Sequence, residues 1–220
     1  MKSFEKWTWE EVELTFGVKR VKTMPLLNDW LTANEPPSND YEKTTLLHNL
    51  ERLKIMADNW NEDEIKFFFV SNIVSLVDFF KQGVYSSFSQ RTVSAKLRDI
   101  NNTEMTLRGR VEFFVAAGMQ NPRQPFFFLH EYKPTYKTTP SDPLGQLLIS
   151  MLAAQNLNLQ HRPLYGLYVV GKLWQFVVLN SQEYTISHSF DATDEKSLFK
   201  IFSILKKCKS IIEHDISNQV

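Results

Sequence analysis

The sequence predicts an α/β protein with a mixed central sheet flanked by helices and a helical N-terminal extension over residues 1–60. Three patterns carry that reading. Apolar residues recur at helical spacing up to about residue 80; from Val84 the period shortens to that of strands; and after Asp142 a helix pattern is followed by strands again. A helix between strands implies helices layered on a sheet. With 220 residues, 43% of them hydrophobic and 17 of them Phe, the chain has enough apolar surface to bury a core, and residues 61–220 read as one α/β domain.

The extension is acidic, with helical stretches over Trp7–Phe16 and Leu26–Leu31 and a break at Pro36-Pro37-Ser38-Asn39-Asp40. Leu46, Leu47, Leu50, Leu53 and Met56 then form one helical stripe, and Ile65, Phe68, Phe69, Ile73, Leu76, Phe79 and Phe80 form another. The second helix opens at Asn61 with Glu64 three residues on, the spacing of a capping box. Val84–Lys96, Met105–Ala117 and Pro125–Lys133 follow as a three-strand meander whose last link, Gly118–Pro125, has the Gly, Asn and Pro content of a hairpin loop. Asp142-Pro143 caps a helix with Leu144, Leu147, Leu148, Met151 and Leu152 on its inner face. Leu164–Val170 is apolar throughout, as in a strand covered on both faces, and Gly171-Lys172 turns it into Trp174–Leu179. Glu183–Phe190 reads as a more exposed strand, an edge on which a second copy would pair to make a homodimer. The last helix carries Leu198, Ile201, Phe202, Leu205, Ile211 and Ile212 inward, with Lys206, Lys207 and Lys209 placed as C-terminal charges.

Composition excludes several classes of function. Seven glycines form neither a Gly-x-Gly-x-x-Gly nor a Gly-x-x-x-x-Gly-Lys loop, the five histidines show no zinc-ligand spacing, and no Gly-x-Ser-x-Gly elbow exists. The single cysteine, Cys208, reads as a half-exposed packing residue. No apolar run reaches the roughly 18 residues of a membrane span, and the first residues lack the apolar stretch of a secretion signal. The expectation is a cytoplasmic protein without a membrane partner. Net charge is zero, yet residues 84–140 hold 8 Lys/Arg against 4 Asp/Glu, a locally basic stretch suited to a phosphate-bearing polymer.

That basic stretch also contains charges set inside apolar runs. Glu112 interrupts Val111, Phe113 and Phe114, and Glu131 and Lys133 end the run Phe126-Phe127-Phe128-Leu129-His130. An ionised group removed from water needs a partner, a metal or a shifted pKa. Strand alternation puts Phe127, Leu129, Glu131 and Lys133 on one face, and Phe126, Phe128, His130 and Tyr132 on the other. His130 therefore reads as a packed residue rather than a base. A hairpin register sets Glu112 beside Glu131, and two carboxylates held together repel unless a cation lies between them. Hard oxygen ligands with retained waters suit Mg²⁺ or Mn²⁺.

The order helix, three strands, helix, strand, with Glu112 on the second strand, Glu131-Tyr132-Lys133 on the third and Gln146 in the next helix, resembles the PD-(D/E)XK nuclease superfamily over residues 60 to 180. The resemblance extends to the small bacterial proteins of that superfamily in which phrases like Asp142-Pro-Leu-Gly-Gln-Leu-Leu recur. It implies a restriction-endonuclease-like core and a metal-dependent nuclease acting on nucleic acid, DNA being the first expectation. Glu112 and Glu131 would be metal ligands, Lys133 would sit beside the attacking water, Gln146 would support the site, and Glu64 would be an outer ligand. The superfamily's usual Asp is Glu112 here, and no Pro-Asp dipeptide precedes it. A second reading follows, that of a catalytically inactive module that keeps the fold for binding or assembly.

Overall fold

The computed structural model describes residues 2–135, 142–158 and 162–217. Its strands are β1 (Lys19–Arg20), β2 (Tyr85–Arg98), β3 (Glu104–Ala117), β4 (Arg123–Lys133), β5 (Leu164–Val170), β6 (Leu173–Asn180), β7 (Glu183–Ile186) and β8 (Phe190–Asp191). They form one mixed, open sheet in the order β1-β7-β6-β5-β4-β3-β2, with β8 pairing β6. β4 runs parallel to β5 and β1 parallel to β7, while the other pairs are antiparallel. The helices are α1 (Trp9–Phe16), α2 (Pro25–Leu31), α3 (Asp40–Met56), α4 (Glu62–Ile65), α5 (Ser71–Val77), α6 (Pro143–Leu157) and α7 (Glu195–Ser217).

Two apolar clusters mark the two faces of the sheet. On one face, Trp30 of α2, Leu46 of α3, Ile73 of α5 and Phe202 of α7 pack with Phe128, Trp174 and Phe176. On the other, Phe4, Trp7 and Val12 join α6 over Phe114, Leu129 and Val177. Residues 1–60 are thus mostly helical, as expected, and contribute to both clusters rather than to one side alone. The Trp30 indole is fully buried and donates to the Ile204 carbonyl at 2.8 Å, which removes the cost of an unmade bond at that depth.

The three-strand meander forms as expected, but the register of β4 against β3 shifts twice, between Val115 and Ala116 and again between Ala116 and Ala117. Val115 pairs with Phe128 and Ala116 with Phe126, so Phe127 is the extra residue of a bulge. Phe126 and Leu129 consequently share the α6 face while Phe127 joins Phe128 on the opposite one, the reverse of what strict alternation gives the two Phe. Beyond the bulge, Glu131 and Lys133 line a cleft on the α6 side and His130 and Tyr132 pack on the other, as expected.

Other differences have local causes. The helix opened at Asn61 stops at Val77 because Asp78 adopts φ 55, which releases Phe79 and Phe80 from the helical stripe, and its middle, Lys66–Val70, is a π-helical turn. The strand expected over Glu183–Phe190 is divided into β7 and β8. β7 is no free edge, because β1 covers it and Lys19 and Val21 donate to the Gln182 and Tyr184 carbonyls, so the pairing edge expected for a homodimer is absent there. α6 is buried almost all round, since α1 and the 3₁₀ turn Phe4–Lys6 cover the face that would otherwise meet solvent. α7 extends to Ser217, so its lysines lie mid-helix; Lys207 pairs with Asp29 at 3.0 Å and Lys209 reaches the Val77 carbonyl at 3.3 Å. Cys208 is fully buried rather than half-exposed, and burial pushes its thiol pKa up. Among the described residues, no helix is long and apolar enough to cross a membrane.

Candidate active-site cleft

A cleft of about 340 Å³ opens where β3, β4, α6 and the chain's first turn meet. Glu112, Glu131, Lys133 and Gln146 all line it, together with Glu62, Arg110 and the Phe4–Lys6 turn. Phe113 pairs with His130, so one further step of the antiparallel register brings Glu112 level with Glu131. The roof comes from far away in sequence, and two glycines admit it. A Cβ on Gly109 would fall 2.2 Å from the Phe4 ring, and one on Gly145 would fall 2.4 Å from the Trp7 carbonyl oxygen. Asp142 caps α6 by accepting from the Gly145 N–H at 3.0 Å, and its other oxygen accepts from the Trp9 N–H at 2.7 Å, which ties the N-terminal segment to the same helix end.

Lys133 Nζ lies 2.8 Å from Glu131 Oε1 and 3.4 Å from Glu62 Oε2. Glu131 and Lys133 are 5% and 9% exposed, so this is a buried pair. Burial pushes the Glu131 carboxyl up to about 7, against the downward pull of Lys133's charge and hydrogen bond, with Glu112 and Glu62 adding to the rise. Burial draws Lys133 down, but the attraction of Glu131, Glu62 and Glu112 outweighs it and leaves the amine above its ordinary value. Both groups hold their protons more tightly than they would in water.

Glu112, half-buried, has partners of its own. Lys66 Nζ lies 2.5 Å from Glu112 Oε2, and the Gln90 side-chain amide donates to the same oxygen. Gln90 sits across from it on β2 at φ 56, a left-handed conformation that is uncommon outside Gly, Asn and Asp. The Lys66 ammonium is also 5.5 Å from the centre of the Tyr132 ring. Gln146 is buried and its Nε2 donates to the Glu5 carbonyl at 3.3 Å, so it links α6 to the roof.

Glu64 does not line the cleft. It closes the expected capping box: its backbone N–H donates to Asn61 Oδ1 at 2.9 Å while its Oε2 accepts from the Asn61 N–H at 2.8 Å. The helix presents Glu62 to Lys133 and Lys66 to Glu112 instead. Those two residues are four apart, hence on one helix face, and the Glu62-x-x-x-Lys66 spacing was the available signal. Nothing in the sequence pointed to Gln90 or to the Phe4–Lys6 roof, whose signature is the pair of glycines beneath it.

Among the described residues, no group of three or more His, Cys, Asp and Glu side chains is placed to hold a metal ion. A cation bound at Glu112 and Glu131 would keep several waters, which is the habit of Mg²⁺. A second cleft of about 390 Å³, lined by Arg98, Gln155, Asn156 and Gln182 among others, has no carboxylate and offers no comparable chemistry. In comparisons with known proteins, no family model matches the chain and no curated protein matches it.

Proposed function

We propose that the protein is a divalent-metal-dependent phosphodiesterase acting on nucleic acid, DNA first, on a restriction-endonuclease-like core. The observation that carries this reading is the convergence of Glu112, Glu131 and Lys133 on one cleft. The element order supports it: a helical segment over α4 and α5, the antiparallel meander β2-β3-β4, then α6 and β5 parallel to β4. The donor set fits Mg²⁺ or Mn²⁺, since Glu112 and Glu131 offer hard oxygens from adjacent strands and the cleft leaves room for waters. A divalent ion at these carboxylates supplies Lewis-acid polarisation of a phosphoryl oxygen and makes nearby water more acidic.

The chain's own groups divide the remaining work. Lys133, held as an ammonium by three carboxylates, orients and neutralises a phosphate oxygen rather than accepting a proton. Glu131 would serve as a carboxylate ligand to the ion, whose charge, added to that of Lys133 at 2.8 Å, favours the ionised form. Arg110 and Lys6 line the same cleft and favour the approach of a polyanion. Gln146 fixes the roof over these groups through Glu5.

One observation favours the second reading, that of a non-catalytic binding module. Lys66 and Lys133 already neutralise Glu112 and Glu131 without an ion. Calorimetric titration of Mn²⁺ into the wild type and into Glu131→Gln separates the two, alongside cleavage of end-labelled single-stranded and duplex DNA. The hydrolytic reading expects one saturable site that weakens at least tenfold in the variant, and cleavage lost with it. Absence of saturable Mn²⁺ binding in the wild type leaves the binding module.

A further inference from the structure

Lys66, which pairs with Glu112, also lines another cleft, of about 360 Å³, between α5 and β2. This volume lies at the small end of the roughly 300–1,000 Å³ range of ligand pockets. Its apolar wall is aromatic, formed by Phe79, Phe113 and Tyr132. Its rim is built from two periodicities aimed at one space. Ser71 and Ser75 are four apart on α5, and Ser87 and Ser89 are two apart on β2. Two of these hydroxyls have committed their protons, Ser71 to the Phe67 carbonyl at 2.8 Å and Ser89 to the Glu112 carbonyl at 3.1 Å, so they meet a ligand as acceptors. Asp78, at the end of α5, adds a carboxylate that also only accepts. An aromatic wall with an acceptor-rich rim suits a flat ring with N–H groups on its edge.

We propose that this cleft binds a nucleobase bearing an exocyclic amino group, guanine best of all. Guanine presents N1–H and an adjacent amino group to the acceptors, adenine and cytosine present an amino group, and thymine and uracil present one N–H between two carbonyls. The ring lies against Phe79 and Phe113, and Lys66, which lines the cleft while pairing with Glu112, brings positive charge near the attached phosphate. The same chemistry arises from a free nucleotide or from a base swung out of a strand whose phosphodiester lies in the neighbouring cleft. Only the second source rests on the hydrolytic reading given above.

The test is calorimetry with the four ribonucleoside monophosphates and with a guanine-containing tetranucleotide, all without divalent ions. Two variants accompany the wild type: Ser87→Trp, which fills the cleft from an exposed strand position, and Asp78→Asn, whose side chain tolerates the left-handed backbone at φ 55. The expected result is GMP bound at least tenfold tighter than UMP, binding lost in Ser87→Trp at unchanged melting temperature, and the GMP preference reduced about tenfold in Asp78→Asn. A tetranucleotide bound more than tenfold tighter than GMP assigns the base to a strand, and equal binding assigns it to a free nucleotide. Failure of GMP to saturate the wild type, equal binding by wild type and Ser87→Trp, or an unchanged GMP preference in Asp78→Asn overturns the proposal. Because no divalent ion is present and Glu131→Gln should bind GMP normally, base capture and metal-dependent hydrolysis fail independently.

Discussion

Replacing His130 by Phe should stabilise the protein, and more so in acid. The imidazole is fully buried among aromatic rings, with Tyr132 at 4.2 Å, Trp174 at 5.8 Å, Phe128 at 6.0 Å and Phe113 at 6.1 Å between ring centres. Neither ring nitrogen has a hydrogen-bond partner among the described residues. A buried polar atom left unpaired costs about 1–3 kcal/mol, and a larger ring in a packed core costs about 1–3 kcal/mol, so removing two such atoms leaves a net gain of about 1–2 kcal/mol at neutral pH. Burial, helped by the charge of Lys66, holds the His130 pKa well below its ordinary 6.5. The unfolded chain therefore binds a proton below pH 6.5 that the folded chain refuses, and wild-type stability falls as the solution is acidified through that value. Acidification from pH 7.5 to pH 5 therefore widens the variant's advantage. Glu131 slopes the other way: its raised carboxyl favours the folded state below about pH 7 in both proteins, so it cancels in the difference. Urea denaturation of both proteins at pH 7.5 and pH 5 measures the effect. A variant less stable than wild type at both values, or a gap that does not widen in acid, refutes the account of His130 as a neutral, unsatisfied core residue.

Lys66→Met should lower stability by about 1–3 kcal/mol, because Glu112 keeps only the Gln90 amide, and the double variant with Glu112→Gln should recover most of the loss; additive losses in the denaturation cycle would show the pair uncoupled. Glu64→Ala should cost about 0.5–1 kcal/mol through the capping box and leave Mn²⁺ titration unchanged, whereas Glu62→Gln should alter it; a metal effect confined to Glu64→Ala would restore that residue as a ligand.

Elements with a long regular pattern were legible in the sequence. The meander, the Asn61 capping box and the Asp142-Pro143 helix start all follow from local chemistry that tertiary packing did not override. The meeting of Glu112 with Glu131 and Lys133 also followed from register and alternation, because the side-chain period of a strand is strict beyond the bulge at Phe127. What escaped was set by distant contacts. α6 looked one-sided because its outer face is covered by residues more than a hundred positions away, and β7 looked like an edge because a two-residue strand near the N-terminus gives no pattern to see. Of the two roles expected of Glu64, the structure shows the capping one, because the acidic cluster Glu62-Asp63-Glu64 serves two ends: one residue closes the helix start and another reaches the cleft.

The seating of Phe4 on Gly109 and of the Trp7–Trp9 backbone on Gly145 makes the cleft depend on contacts between distant parts of the chain. Its acids and its lysine come from the middle of the sequence, yet the lid that shields them arrives from the opposite end and has to find two bare spots of matching shape. A chain trimmed of its first six residues would carry every ionisable group proposed for chemistry except Lys6, but would leave Gln146 without its Glu5 anchor and the buried carboxyl of Glu131 open to water from above. Losing the Phe4–Lys6 turn is thus a way of rewetting this pocket without altering a single charged residue on its sheet.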